Sequence, residues 1–194
     1  MNAPRIVLAS TSRYRAELLR RLLDGFEQIA PEADEQPLPD ETPAVRALRL
    51  AAAKAAAVAK NRRDALVIGS DQVAALGEVV LRKPGSLENA HQQLRTSSGK
   101  TVDFFTGLCV IDGRNGRSRT YTDHTRVAFR ALSDDEIHRY VMREHPLDCA
   151  GGFKSEGAGI ALFERIESED PTALIGLPLI ALARLLRQAG ITVP

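Results

Sequence analysis

The sequence predicts an α/β fold, a mixed twisted sheet with flanking helices, in a single domain over residues 1–194. Three observations lead there. Short apolar runs rich in β-branched residues alternate with helical patterns in the first half of the chain. Two long strand-like segments then follow one another across a glycine-containing turn, as in a hairpin. A chain of 194 residues that is 44% hydrophobic and 26% charged is also long enough to bury one real core.

The elements follow in order. Ile6 to Ala9 is a short apolar run and reads as a buried strand. It ends in Ser10-Thr11-Ser12, after which Leu18, Leu19, Leu22 and Leu23 share one face of a helix that Gly25 stops. Phe26 to Ala30 reads as a second strand, and Pro31 to Pro43, acidic and with four prolines, as an extended loop. Thr42-Pro43 starts an Ala-rich helix that runs to Lys60. ALVIGS, Ala65 to Ser70, is a strand with Asp71 and Gln72 at its carboxyl end. Lys83-Pro84-Gly85 makes a turn before a helix from about Ser86 to Thr96. Lys100 to Ile111 and Ser118 to Phe129 form the hairpin, and Ser133-x-x-Glu136 is a capping box opening a helix that ends near His145-Pro146. A Gly-rich loop, a strand from Ile160 to Ile166 and a final helix opening near Pro178 complete the chain.

The balance of 26 Lys+Arg against 25 Asp+Glu, net +1, gives no basic excess of the kind that nucleic-acid binders carry. No window approaches the apolar length of a membrane span, and the N-terminus lacks the pattern of a signal peptide, so a cytoplasmic protein with no membrane partner is expected. Cys109 and Cys149, in no CxxC pattern, read as small apolar residues. His124, His138 and His145 share no metal-ligand spacing.

Four features carry potential chemistry. At Ser10-Thr11-Ser12-Arg13-Tyr14-Arg15 a strand runs through hydroxyl residues into a helix, bringing free backbone N–H groups, the positive helix end and two guanidinium groups to one place. This is either a phosphate cradle or an ordinary N-cap with surface arginines. Asp34 and Glu35 are either solvated loop acids or, together with Asp71, oxygen ligands for a hard divalent cation. Asp71 sits where open α/β sheets place ligands, and is otherwise a turn-forming residue. Lys54 and Lys83 read as anion-binding or as surface lysines. No Walker, GxSxG or dinucleotide fingerprint is present.

The ordered set LASTSRYR, PEADE, RLAAAKA, IGSDQV, RKP, the TG of Thr106-Gly107, FKSEG and IGLPL resembles the Maf family over nearly the whole chain. The resemblance implies a nucleoside triphosphate pyrophosphatase with a deep nucleotide cleft, a divalent metal such as Mg or Mn, and a homodimer. Carried over by position, it implies that Ser10, Ser12, Arg15, Lys54 and Lys83 bind phosphate, that Asp71 and Lys83 are catalytic, and that Glu35 and Asp71 are associated with the metal. The aromatic Tyr14, the Ser70-Asp71-Gln72 run and Lys154-Ser155-Glu156 resemble the branch that hydrolyses 7-methylguanosine triphosphate. Tyr14, Gln72 and Glu156 are accordingly the implied determinants of base specificity. Arg13 stands where the family usually has Pro, Ala16 where the branch has a second arginine, Tyr14 where it has Trp, and Ala53 where an acid commonly precedes the helix lysine. Two other functions are weighed beside this one: dTTP/UTP hydrolysis, as in the sister branch, and a non-catalytic nucleotide-binding regulator of cell division. A pure binder has no need of Asp71.

Overall fold

The computed structural model describes residues 4–193. In chain order the elements are β1 (Arg5–Ala9), α1 (Arg13–Leu19), β2 (Glu27–Ile29), α2 (Pro43–Ala59), β3 (Ala65–Leu76) and β4 (Val79–Leu81). They continue with α3 (Leu87–Ser97), β5 (Thr101–Asp112), β6 (Ser118–Phe129), α4 (Asp134–Glu144), β7 (Phe163–Glu167) and α5 (Leu179–Gln188). The strands form one seven-stranded sheet in the order β2-β1-β3-β5-β6-β7, with β4 paired to β3 off that path. β1 is parallel to β2 and β3, whereas β4 and β7 are antiparallel to β3 and β6, so the sheet is mixed as expected. The chain divides into two compact units. One takes in the chain up to Asp71, Thr106–Asp123 and the chain from Asp170; the other comprises Gln72–Phe105 and His124–Glu169.

The first unit is doubly wound. Period-two alternation sends Ile6, Leu8, Leu66, Ile68, Leu108 and Val110 to one face, where they pack with Leu18 and Leu19 of α1 and Leu182 and Leu186 of α5. Val7, Ala9, Val67 and Cys109 face the other way, against Ala51, Ala55 and Val58 of α2. Parallel strands covered on both faces are expected to read as continuous apolar runs, and these do. Helix α2 begins as its sequence predicts, with Thr42 Oγ1 accepting from the Val45 N–H and Pro43 in the first turn. It lies unusually close to the sheet because glycines face it. A Cβ on Gly69 would stand 2.3 Å from the Ala51 carbonyl oxygen, and one on Gly107 would stand 2.3 Å from that of Ala47.

The second unit is built around phenylalanines. Phe104, Phe129, Phe153 and Phe163 pack edge to face, with centroid separations from 4.8 to 5.6 Å. Helix α3 is capped by Ser86, and α4 carries the predicted capping box, Ser133 and Glu136 each bonding the other's backbone N–H. It ends at His145 in the left-handed region, φ 45°.

Three boundaries and one additional strand differ from the sequence expectation. Helix α1 closes at Leu19, because Leu22 N–H bonds the Leu19 carbonyl in a tighter turn. Leu22 and Leu23 still pack on the core, so the apolar face outlasts the helix. Strand β3 does not stop at Ser70 but continues to Leu76, which puts Asp71 inside the strand and not at its end. It then turns through Gly77, φ 59°, into β4, which was not expected. Ile160 lies in a 3-10 segment, and the strand begins only at Phe163.

Candidate functional site

Strand order explains why the candidate residues of the first unit meet. From β1 the chain crosses by α1 to β2 on one side, then by α2 to β3 on the other side of β1. Helices α1 and α2 occupy opposite faces, so β1 and β3 flank a topological switch point. Ala9 is in register with Gly69 and with Ile29. The segments that continue past this level are Ser10–Arg15 after β1, the acidic loop after β2, and Ser70-Asp71 in β3.

Lys54, on α2, joins two of them. Its Nζ lies 2.6 Å from Asp71 Oδ1 and 2.8 Å from Glu35 Oε1. Lys54 and Asp71 are buried, at 8% and 9% exposure, whereas the Glu35 side chain is 59% exposed. An aliphatic stem within an Ala-rich helix face and a charged tip at its carboxylates is how a lysine is tolerated at such depth. Arg46 of the same helix donates to the Glu35 carbonyl, holding the loop. Asp34 is exposed and accepts from the Gln36 N–H, so it shapes the loop.

The turn after β1 is organised by its own hydroxyls. Ser10 Oγ accepts from the Ser12 N–H at 3.1 Å, and Ser12 Oγ accepts from the Arg15 N–H at 3.3 Å as the cap of α1. Gln28 of β2 donates to the Ser10 carbonyl at 2.8 Å. Arg15 Nε donates to the Gly176 carbonyl at 2.8 Å, and Nη1 reaches Ser10 Oγ at 3.5 Å. Burial lowers the Arg15 pKa from its ordinary value, with the charges of Asp71 and Glu35 opposing; the guanidinium remains charged. Arg13 turns to its neighbour instead: its guanidinium lies 4.7 Å from the Tyr14 ring centroid and bonds the phenol oxygen at 2.7 Å. Arg13 is therefore engaged with Tyr14 in this structure, as Arg15 is with Gly176. Arg15 and Lys54 against Glu35 and Asp71 make this cluster balanced in charge.

The other three sequence candidates belong to the second unit. Gln72 is half-buried in β3. Lys83 is exposed, between β4 and α3, and the following turn is fixed by Asn89 donating to the Pro84 carbonyl and Gly85 N–H donating to that of Leu147. Glu156 is exposed in the Gly-rich loop, with Ser155 Oγ 3.5 Å from its carboxylate. That loop is tied to α4: Tyr140 OH accepts from the Lys154 N–H at 2.9 Å, and Glu144 accepts from the Ala158 N–H at 3.2 Å.

Sequence reasoning passed over several contributors. Ser70, fully buried, places its hydroxyl 2.8 Å from the Gly107 carbonyl and 2.9 Å from that of Gly176, pinning β3 beside Asp71. Gly176, φ 123°, offers the carbonyl that Arg15 and Ser70 share. Its place in IGLPL was visible, but its partners were not. Among the described residues, no group of three or more His, Cys, Asp or Glu side chains is arranged to hold a metal. No described helix is long and apolar enough to cross a membrane.

The fold and this cluster define a doubly wound α/β protein with paired cations and carboxylates at its switch point. The chain belongs to the Maf family: residues 5–189 match the family described as Maf-like protein. It is 55% identical over 190 residues to a 7-methyl-GTP pyrophosphatase of Burkholderia pseudomallei (strain 1710b), covering 96% of this chain and 88% of that protein. It is 53% identical over 194 residues, all of both chains, to one from Aromatoleum aromaticum. A third, from Nitrosococcus oceani, is 52% identical over 187 residues, 96% of this chain and 94% of that one.

Proposed function

We propose that this protein is a nucleoside triphosphate pyrophosphatase that hydrolyses 7-methyl-GTP to 7-methyl-GMP and diphosphate, clearing a modified nucleotide. The observation that carries the reading is the Asp71–Lys54–Glu35 cluster at the switch point, beside the Ser10–Arg15 turn. The substrate is the one named for relatives that are 52–55% identical over nearly full length. A triphosphate substrate and two cysteines that form no disulfide suit a cytoplasmic protein.

Phosphoryl chemistry demands positioning and charge more than covalent catalysis. Lys54 holds Asp71 through Oδ1, which leaves the second carboxylate oxygen to accept a proton from the attacking water. Ser10, Ser12, the first N–H groups of α1, and Arg15 receive the phosphate oxygens, with Lys54 adding charge. Lys83 takes its role as a phosphate-stabilising catalytic residue from its place in the RKP motif. Because Arg15 and Lys54 are already balanced by Glu35 and Asp71, a triphosphate calls for further positive charge. A divalent cation, Mg or Mn, fits that need. Glu35 and Asp71, the two carboxylates bridged by Lys54 Nζ, supply the oxygen type that a hard cation prefers. They would hold it, and it would supply charge neutralisation at the phosphates.

For base choice, methylation gives the guanine ring a positive charge, which an aromatic face attracts by about 0.5–2 kcal/mol. The Tyr14 ring already carries a guanidinium, so it is a competent cation platform. The family resemblance implies Glu156 as the carboxylate for the ring N–H and exocyclic amine of guanine, a donor pair that pyrimidines lack, and implies Gln72 as a further specificity residue. Loss of turnover without loss of Asp71 would favour the regulatory reading, and preference for UTP or dTTP would favour the sister-branch activity.

Hydrolysis in 18O-labelled water tests the reaction. Label entering only one of the two products, the monophosphate or the diphosphate, together with diphosphate release, establishes cleavage between the α- and β-phosphates. Release of inorganic phosphate alone would overturn the assignment.

A further inference from the structure

Asp170 is 2% exposed, and the chemistry proposed above leaves it without a role. Its Oδ1 accepts from the Thr172 N–H at 3.1 Å and lies 2.6 Å from the Thr172 hydroxyl. Its Oδ2 accepts from the Ile180 N–H at 2.7 Å, in the first turn of α5. Thr172 Oγ1 in turn accepts from the Leu179 N–H at 2.8 Å and lies 2.9 Å from the Leu177 carbonyl. The hydroxyl has one proton and two acceptors within reach, so Thr172 is saturated. Together the two side chains close the loop from Asp170 to Ile180 on itself.

The loop reaches out through the Ala173 carbonyl, which accepts from the Thr106 hydroxyl at 3.0 Å, and, toward the candidate site, through the Gly176 carbonyl. Gly176 N–H bonds the Ala173 carbonyl at 2.9 Å, and Gly176 takes φ 123°, which turns its own carbonyl to Arg15 Nε at 2.8 Å and to the Ser70 hydroxyl at 2.9 Å. The φ of 123° is what calls for glycine here; a Cβ would stand 3.4 Å from Arg15 Nε, an ordinary contact distance. Arginine has five N–H donors in a planar fork. With Nε committed to Gly176, rotation of the fork is fixed and the terminal nitrogens are aimed by the loop, not by solvent.

We propose that Asp170 and Thr172 are positioning residues: they fix the Gly176 carbonyl, which orients the Arg15 guanidinium to grip a polyphosphate. This rests on the reading of the Ser10–Arg15 turn as a phosphate cradle. A merely structural clamp would lower stability without any energetic coupling to Arg15. A positioning clamp is coupled to it.

The test uses inorganic triphosphate as probe, with affinity measured by calorimetry on variants shown to be folded by circular dichroism. Thr172→Val, which keeps shape and loses the hydroxyl, is expected to weaken binding about tenfold. Asp170→Asn, which keeps an acceptor for Thr172 but none for Ile180, is expected to weaken it by a smaller factor. Thr172→Ser recovers most of the affinity. In an Arg15→Gln background, itself weakened, Thr172→Val adds less than about twofold, because the group it orients is gone. Folded Thr172→Val that binds as tightly as the parent, or a full tenfold loss on top of Arg15→Gln, overturns the proposal; so does a parent protein that does not bind triphosphate. Nucleotide hydrolysis by the parent is scored separately, so the clamp can fail while the activity stands.

Discussion

Lys54 Nζ stands 2.6 Å from Asp71 Oδ1, and the two side chains are only 10% and 12% exposed. A pair this deep is costly to bury and costlier to break. Removing the lysine alone strands a carboxylate, so Lys54→Met should lose about 3 kcal/mol in urea unfolding. Lys54→Met combined with Asp71→Asn should recover most of that stability and none of the activity. Additive losses would show that the ion pair is not the coupling element.

Gly69 determines how near the pair can come. Gly69→Ala places a methyl 2.3 Å from the Ala51 carbonyl oxygen and 2.9 Å from the Ala55 methyl. Helix α2 has to lift, at a cost of about 1–3 kcal/mol or more, and Lys54 moves with it. The expected result is a lower urea midpoint together with reduced turnover. Unchanged turnover in the folded variant would separate helix position from catalysis.

The capping box of α4 gives a pH dependence of definite sign. Bonding from the Ser133 backbone N–H, then Arg130 and the Ser133 hydroxyl, pushes the Glu136 carboxyl down to about 2, from an ordinary value of 4.5. A depressed carboxyl stabilises the fold fully above its ordinary value and loses that contribution as pH falls from 4.5 through 2. Compared with Glu136→Gln, the parent should show its full advantage in urea midpoint at pH 6, shrinking through acid. An advantage that does not change with pH would contradict the assignment.

Cys109 is 1% exposed, and burial pushes its thiol up to about 11. It should resist alkylation at pH 8 in the folded protein and react promptly in urea, as read by peptide mass spectrometry.

Much of this was legible in the sequence, for physical reasons that can be named. Ile6–Ala9 and Ala65–Ser70 show strands because parallel strands covered on both faces read as unbroken apolar runs. Caps at Thr42, Ser86 and Ser133 were readable because capping is local. The end of β3 was misjudged because Ser70 and Asp71 look like a strand terminus, although their polar groups are satisfied by partners far away: Gly107, Gly176 and Lys54. Gly77 between Leu76 and Val79 was the missed signal for the β3–β4 hairpin. Asp170 carried no signal in the sequence, because the N–H groups of Thr172 and Ile180 that its carboxylate accepts from are brought to it by the turn into α5.

The most direct test of the account is kcat/KM for 7-methyl-GTP, GTP, UTP and dTTP on one preparation, with added Mg or Mn, for the parent and for Asp71→Asn. The methylated nucleotide is expected to be clearly preferred, and Asp71→Asn to lose about a thousandfold or more in turnover with nucleotide affinity retained. Equal or better turnover of UTP or dTTP, or undiminished hydrolysis by Asp71→Asn, would contradict it.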